Sequence, residues 1–490
     1  MSNNDSTDPH HRRRWLILAF IGLAQLMVVL DATIVNIALP SAQQDLGFSD
    51  DSRQWIITAY ALSFGSLLLI GGRVSDYFGR KRTMIAGLLG FAGSSAIGGL
   101  APSFEVLVGA RALQGAFGAL LAPAALSLLT TTFTVPAERA KAFGVYGAIA
   151  GGGGAVGLLL GGVLTEYLNW RWNMYVNVLF AIPTAIGVGI LLVNHVPNVR
   201  VRMDIPGALA ASAGLFGLVF GFSQAESSGW DATSTLVSLV LGVALLIAFV
   251  LIERRVSNPM LPLRVLADRN RGGSYIAVGV AGASMFGAFL FLTYYLQQTL
   301  GFSPVKTGLA FLPMIAGLMF SAMSASTKLL PRFGPRPLVP TGMVVAAAGM
   351  ILLSGVEVDS TYVANVLPGL ILLGLGFGLI IAPSMASATL GVTPADSGVA
   401  SAMANTSQQV GGSIGTAFLS TISASAVASF ASGKAPTADL VAQASVHGYT
   451  TAFWWSAAIL LAGAVATALL LKSGAPQIEP QTEASLAMAH

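Results

Sequence analysis

The chain has no cysteine in 490 residues, and only 9% of its residues are Asp, Glu, Lys or Arg. Without a thiol it can form no disulfide, no thiolate metal site and no catalytic cysteine. A charge content so far below the roughly 25% of soluble domains cannot cover a water-facing surface. Histidine is scarce as well, five in all, and none falls in the middle of an apolar run. No pair of carboxylates shares such a run either, so the constellation expected of an integral-membrane enzyme is missing. The one Gly-Lys step, Gly433-Lys434, is followed by alanine and lacks the spacing of a phosphate-binding loop, so nothing points to ATP hydrolysis.

What the chain has is apolar sequence, 54% of all residues. Runs such as 15–39 and 369–390 reach the roughly 20 residues that span a bilayer core, and similar runs fill the chain from end to end. Lipid is therefore the main solvent. The net charge of +4 gives no reason to expect nucleic acid, because the basic residues sit in short connections between runs, where they set membrane orientation. The apolar run after His11-Arg12-Arg13-Arg14 is about 25 residues long against the 7–15 of a secretory signal, and reads as an uncleaved first helix.

Cutting at charge clusters and Gly/Pro turns predicts fourteen spans. With the N-terminus in the cytoplasm, the inner segments hold 20 of the 25 Lys and Arg, the outer ones 4, and one, Arg111, lies within a span. That asymmetry is the positive-inside pattern and places both termini in the cytoplasm of a multi-pass protein of the cell membrane, the inner membrane of a bacterium.

An internal repeat accounts for the number fourteen. Gly118, Ala122 and Pro123 recur as Gly378, Ala382 and Pro383 at an offset of 260, and Gly153, Gly154 and Gly157 recur as Gly411, Gly412 and Gly415 at 258. Spans 4 and 5 thus map onto spans 12 and 13, which predicts two parallel six-helix repeats around a central cavity with two inserted helices between them. The predicted organisation is a tail over 1–14, a six-helix bundle over 15–194, the inserted pair with its flanking loops over 195–270, a second six-helix bundle over 271–472 and a tail over 473–490. The fold class is all-α integral membrane.

The connection after span 2 reads GGRVSDYFGRKR and places Gly72, Arg73, Asp76, Gly79, Arg80 and Lys81 at the cytoplasmic mouth. An acid spaced among bases beside a turn glycine can latch two helices in one conformation and release them in another. Here the chain resembles the major facilitator superfamily, whose pattern G-x-x-x-D-(R/K)-x-G-R-(R/K) it follows except at Tyr77. LDATIVNIALP in span 1, RALQGAFGALLAPAALSLL in span 4 and WRWNMYVNVLFAIP after span 5 resemble the fourteen-helix drug:proton antiporters of that superfamily. The family's antiporter pattern in span 5 is matched by Gly144, Gly153, Gly157, Gly161 and Gly162, with Leu158 in place of its proline. Glycines at these intervals let helix backbones approach closely and can seal a cavity on one side.

Asp31 is the one acid well inside a span, about 24 Å along the helix from Trp15, and Arg111 lies at matching depth, about 10 Å from Phe104. A charge there is costly unless it works in a polar site. Asp31 is expected to exchange the coupling proton, with Arg111 and Gln114 tuning it. Other polar or aromatic residues in spans are candidates for the cavity wall: Gln25, Asn36, Tyr60, Tyr146, Asn177, Phe286, Phe289, Tyr294, Asn405 and Gln408. The resemblance implies a multidrug efflux antiporter that exchanges protons for a small lipophilic or cationic substrate, with the proton gradient as energy source and no cofactor or metal. A dedicated exporter of one metabolite or antibiotic is the nearest alternative; a sensor or channel would carry no coupled flux. The oligomeric state is left open.

Overall fold

In lipid, every backbone N–H and C=O must be satisfied within the protein, and an apolar run does this by coiling into an α-helix. The computed structural model describes residues 9–49, 52–133, 136–192, 204–256, 259, 261, 263–389, 397–435 and 437–474. Within them the chain is helical throughout, and no strand occurs. The first eight helices are α1 (Pro9–Leu46), α2 (Gln54–Phe78), α3 (Arg80–Gly99), α4 (Phe104–Thr132), α5 (Pro136–Tyr167), α6 (Trp172–Leu191), α7 (Ile205–Ser228) and α8 (Thr233–Glu253). After the short α9 (Leu263–Ala267) come α10 (Arg269–Tyr294), α11 (Pro304–Ser324), the four-residue α12 (Leu330–Phe333), α13 (Pro335–Leu353), α14 (Leu367–Thr389), α15 (Ser397–Ala431) and α16 (Ala438–Leu470). Wider π-turns extend α10 over Tyr295–Thr299, join α11 to α12 over Ala325–Leu329 and lead into α14 over Tyr362–Val366.

Eleven of these helices are long and apolar enough to cross a membrane. Three further helices, α2, α3 and α5, are also 20 residues or longer.

The helices pack in a pattern that occurs twice. α1 packs on α5 and α6, α2 on α4, and α3 on α4 and α6; in the same way α10 packs on α15 and α16, α11 on α14, and α13 on α14 and α16. α7 and α8 pair with each other, their backbones brought together where Gly214 and Gly217 meet Gly242. α7 carries the packing of this pair against α2 and α15, with the Ser212 hydroxyl donating to the Ser66 carbonyl at 2.8 Å. α8 is the most apolar and least buried of the spanning helices, as expected of a helix facing lipid.

Two sequence expectations are corrected here. The segment read as a loop after span 2 is almost entirely helical: α2 runs through Gly72, Arg73 and Asp76 to Phe78, and α3 starts at Arg80. Only Gly79 lies between them, at φ +91°, a left-handed conformation that glycine adopts without a Cβ penalty. Likewise the first span does not end at Pro40, which sits inside α1 six residues before Leu46. The predicted tails at 1–14 and 473–490 lie largely outside the described residues, as does the start of the segment 195–270.

Candidate functional site

Arg111 and Gln114 stand three residues apart on α4 and so share a face. Gly115 lets that face sit against α2, since a Cβ there would collide with the Tyr60 carbonyl. The close crossing brings the Arg111 Nε within 3.2 Å of the Ile56 carbonyl, and its guanidinium lies over the Tyr60 ring at 4.4 Å. From α1, Asp31 meets this group: Arg111 Nη1 donates to Asp31 Oδ2 at 2.6 Å and to Gln114 Oε1 at 2.9 Å. The second carboxylate oxygen, Oδ1, accepts from Asn177 Nδ2 of α6 at 2.7 Å and from Gln114 Nε2 at 3.1 Å. Gln114 Nε2 also donates to the Ser95 hydroxyl of α3 at 2.6 Å. Asp31, Gln114, Asn177 and Ser95 are fully buried, and Arg111 is 2% exposed.

Five helices thus contribute to one cluster, in which the Asp31 carboxylate accepts from N–H donors of α4 and α6. Removing either charge alone would strand the other in a dry interior. The site is therefore a buried charge pair that holds α1 to α4 and α6.

α5 reaches α1 through the glycines of the span 5 pattern. A Cβ on Gly153 would press on Val29, on Gly157 it would meet the Leu30 backbone and the Thr33 side chain, and on Gly161 the Ile34 backbone. Gly162 faces the other way, against Pro304 and Val305 at the start of α11, and Gly308 of α11 approaches the Leu158 carbonyl. The one tail of the pattern that stays unplaced is Gly144, whose surroundings lie outside the described residues, as does the side chain of Asp76.

Around the same end of the bundle, the end that carries residues 47–53, the first and second sets of helices are joined by polar contacts. Tyr294 donates to Gln43 Oε1 at 2.5 Å, Gln297 Nε2 to the Ile37 carbonyl at 3.0 Å, and the Val305 N–H to Glu166 Oε2 at 2.9 Å. The Arg53 guanidinium lies 4.1 Å from the Tyr294 ring and 5.8 Å from that of Tyr449. This end is closed. At the Gly79 end, Arg73 donates to the Pro259 carbonyl at 2.9 Å and Lys81 to the Gly189 carbonyl at 2.7 Å, so both cations tie α2 and α3 to neighbouring segments.

The family model described as Major Facilitator Superfamily matches residues 21–416 of this chain. The chain belongs to that superfamily. Among its relatives, the puromycin resistance protein of Streptomyces alboniger is 49% identical over 97% of this chain and 95% of its own length. The cephamycin export protein of Amycolatopsis lactamdurans is 38% identical over 91% of this chain and 90% of its own. Among solved structures, an autoinhibited peptide transporter of the POT family superposes with a TM-score of 0.71 at 15% identity, covering 95% of this chain and 99% of that one, a likeness of fold. Membership makes the chain a multi-pass transport protein and not an enzyme.

Within this superfamily member, the residues expected to line a cavity divide into groups. Asn177 and Tyr60 belong to the Asp31 cluster, and Tyr294 to the closed end. Gln25 accepts from the Tyr146 hydroxyl at 2.5 Å, joining α1 to α5. Asn36 and Asn405 each donate to the carbonyl four residues back, Ala32 at 3.0 Å and Ser401 at 3.0 Å, while the Phe289 ring lies tilted against that of Phe311 with centroids 5.1 Å apart. Phe286 packs over Gly412, and the Gln408 carbonyl is where Gly282 approaches α15. Sequence reasoning missed Ser95, the Ile56 carbonyl, Gln43, Arg53 and Glu166. Ser95 had a faint signal, a hydroxyl in an apolar run; a backbone carbonyl has none.

Proposed function

We propose that the chain is a proton-coupled antiporter that exports small lipophilic or cationic compounds by alternating access, of the fourteen-helix drug:proton type. In this reading the fourteen long helices cross the membrane as six, two and six. The bundles are 15–194 and 271–472, with 195–270 inserted between them. The twice-occurring packing pattern supports it. The 47–53 end is the outer side of a bacterial inner membrane and both termini are cytoplasmic, as the distribution of Lys and Arg supports.

The observation that carries the mechanism is the buried Asp31 carboxylate held by donors from α4 and α6. In the outer-closed form, cargo enters from the cytoplasm while Asp31 is ionised and paired with Arg111. Once the outer end has opened and the cargo has left, a proton arriving from outside neutralises Asp31, releases Arg111 or its neighbours, and weakens the hold of α1 on α4 and α6. Because α1 also lies on α5 along the glycine seam, and α5 on α11, the change at Asp31 is transmitted to the contact between the two bundles. Return of the proton to the cytoplasm restores the pair. The span 2 to span 3 connection, through Gly72, Arg73, Asp76, Gly79, Arg80 and Lys81, acts as the cytoplasmic latch.

A second reading, a dedicated exporter of one compound, is favoured by the two relatives, whose names each tie them to one antibiotic. Purified protein in proteoliposomes with an imposed pH gradient tests both. Proton-driven uptake of several unrelated amphiphiles supports multidrug efflux, uptake of puromycin alone supports the dedicated pump, and conductance without exchange overturns antiport.

A further inference from the structure

Between the Asp31 pair and the 47–53 end, the first set of helices encloses an apolar crevice. α1 supplies Val35, Ala38 and Ala42 to its wall, α2 Ile56, α4 Leu107 and α6 Met174, with Trp170 at its mouth. Four helices that hold the pair thus also build the wall just outward of it. Val35 follows Asp31 by four residues, Leu107 precedes Arg111 by four and Met174 precedes Asn177 by three, spacings that share a helix face, and Ile56 is the residue whose carbonyl Arg111 reaches. All seven residues are at most 5% exposed, and the six below Trp170 carry no hydroxyl, amide or charge. The cavity volume is about 10 Å³, room for roughly one water molecule and for no cargo. At the mouth, Asp45 Oδ2 accepts from the Trp170 indole N–H and from Arg171 Nη2, each at 2.9 Å, and Asp45 is 49% exposed. Positions 31, 35, 38, 42 and 45 therefore form one stripe of α1, roughly 21 Å long, with an acid at each end and apolar residues between. Along the same stretch, α1 is gripped by the second set of helices through the Ile37 carbonyl and Gln43.

A narrow passage with apolar walls resists filling by water, and it conducts once it widens or gains polar groups. We propose that the proton reaches Asp31 from outside through this crevice, within the first bundle, while the cargo travels between the bundles. Asp45 collects the proton at the rim beside Arg171. Val35, Ala38, Ala42, Leu107 and Met174 are the gate, and the receiving group is the Asp31 carboxylate, faced by Arg111 and the Tyr60 ring behind it. In the outer-closed form the grip of Tyr294 and Gln297 on α1 holds the gate narrow, so protons do not cross while Asp31 is open to the cytoplasm. Release of that grip frees α1 to widen the crevice, and the proton enters after the cargo has left. Separate routes also keep a bulky lipophilic cargo from obstructing the carboxylate that has to be recharged. The inference rests on the antiport reading given above.

The test measures proton entry without cargo, in proteoliposomes that hold a pH dye and are given a pH gradient at clamped membrane potential. Val35→Thr combined with Ala38→Ser adds two hydroxyls to the wall at nearly constant volume. The proton leak is expected to rise roughly fivefold or more over wild type, with a smaller rise in each single variant. Adding Asp31→Asn returns the leak to the wild-type rate, because the route passes through that carboxylate, and adding Ala42→Val lowers it by narrowing the crevice. Val339→Thr combined with Ala347→Ser, equally buried in α13, leaves the leak unchanged, and melting temperatures report folding. Wall variants that melt like wild type and show no added leak overturn the route. A leak that survives Asp31→Asn, or that appears equally in the α13 variant, overturns it as well. Proton movement driven by puromycin in wild-type liposomes tests antiport separately: its absence counts against antiport, and the leak of the wall variants still decides the route.

Discussion

Arg111 and Asp31, 80 residues apart in the chain, meet at 2.6 Å in the interior of the helix bundle with 2% and 0% of their side chains exposed. Such a pair contributes little net stability, since desolvation offsets most of the attraction, yet breaking it from one side is severe. In the proposed antiport cycle, its value lies in being switchable by one proton.

Asp31→Asn keeps the shape and removes the titratable group. Proton-driven export is expected to drop at least about a hundredfold, in line with loss of an essential proton acceptor, while exchange of cargo across the membrane without a pH gradient persists. Parallel flux assays in proteoliposomes check this, and full gradient-driven export by the variant removes Asp31 from the coupling role.

Single replacements at the pair leave a lone buried charge or an unfilled donor set. Asp31→Asn and Arg111→Gln should each lower stability in detergent by about 3–5 kcal/mol, because each strands the other charge. The double variant should lose less than the sum, with a coupling of about 2 kcal/mol or more. Arg111→Lys keeps the charge but has no Nε to reach the Ile56 carbonyl, and should fall between wild type and Arg111→Gln.

Gly157 and Gly152 lie on the same helix with opposite expectations. A methyl at 157 meets Leu30 O at 3.1 Å and Leu30 Cα at 3.2 Å, whereas one at 152 meets nothing within 4 Å. Gly157→Ala should cost about 1–3 kcal/mol through overpacking and slow transport. Gly152→Ala should be neutral or slightly stabilising, by up to about 1 kcal/mol from helix propensity. Melting temperatures and export rates of the two variants decide.

Gly71 and Gly72 separate in the same way. The chain pattern singles out Gly72, but a Cβ there only touches Pro123 at 3.8 Å, whereas at Gly71 it would run into the Ala119 backbone. Gly71→Ala is expected to impair folding or transport clearly more than Gly72→Ala, as measured by expression in the membrane and flux.

Tyr294→Phe removes the hydroxyl that donates to Gln43 but keeps the ring under Arg53. Loss of one hydrogen bond of about 1 kcal/mol should raise the labelling rate of an Ala42→Cys reporter about fivefold from the 47–53 side. Arg53→Ala should raise it further, and no change in either variant would show that these contacts do not hold that end shut.

Local signals explain what was readable without coordinates. An apolar run must be a helix in lipid, a cation excess marks one side, and a lone Asp or Arg inside such a run is visible because nothing beside it resembles it. Helix ends were less readable: a proline such as Pro40 and a charged stretch such as the one after Gly72 both look like breaks, yet helix continues through each where neighbouring helices support it.

By itself, then, the amino-acid sequence determined membrane residence, helical class, the repeated segments and Asp31 with Arg111 as the charged centre, because each depends on composition or spacing along one segment. Tertiary structure alone decided the partners. Asn177 reaches Asp31 across 146 residues, Tyr294 reaches Gln43 across 251, and Thr406 reaches the Gly65 carbonyl across 341. Which glycine is tight and which end is closed follow from the way separate helices cross, and no local pattern encodes a crossing.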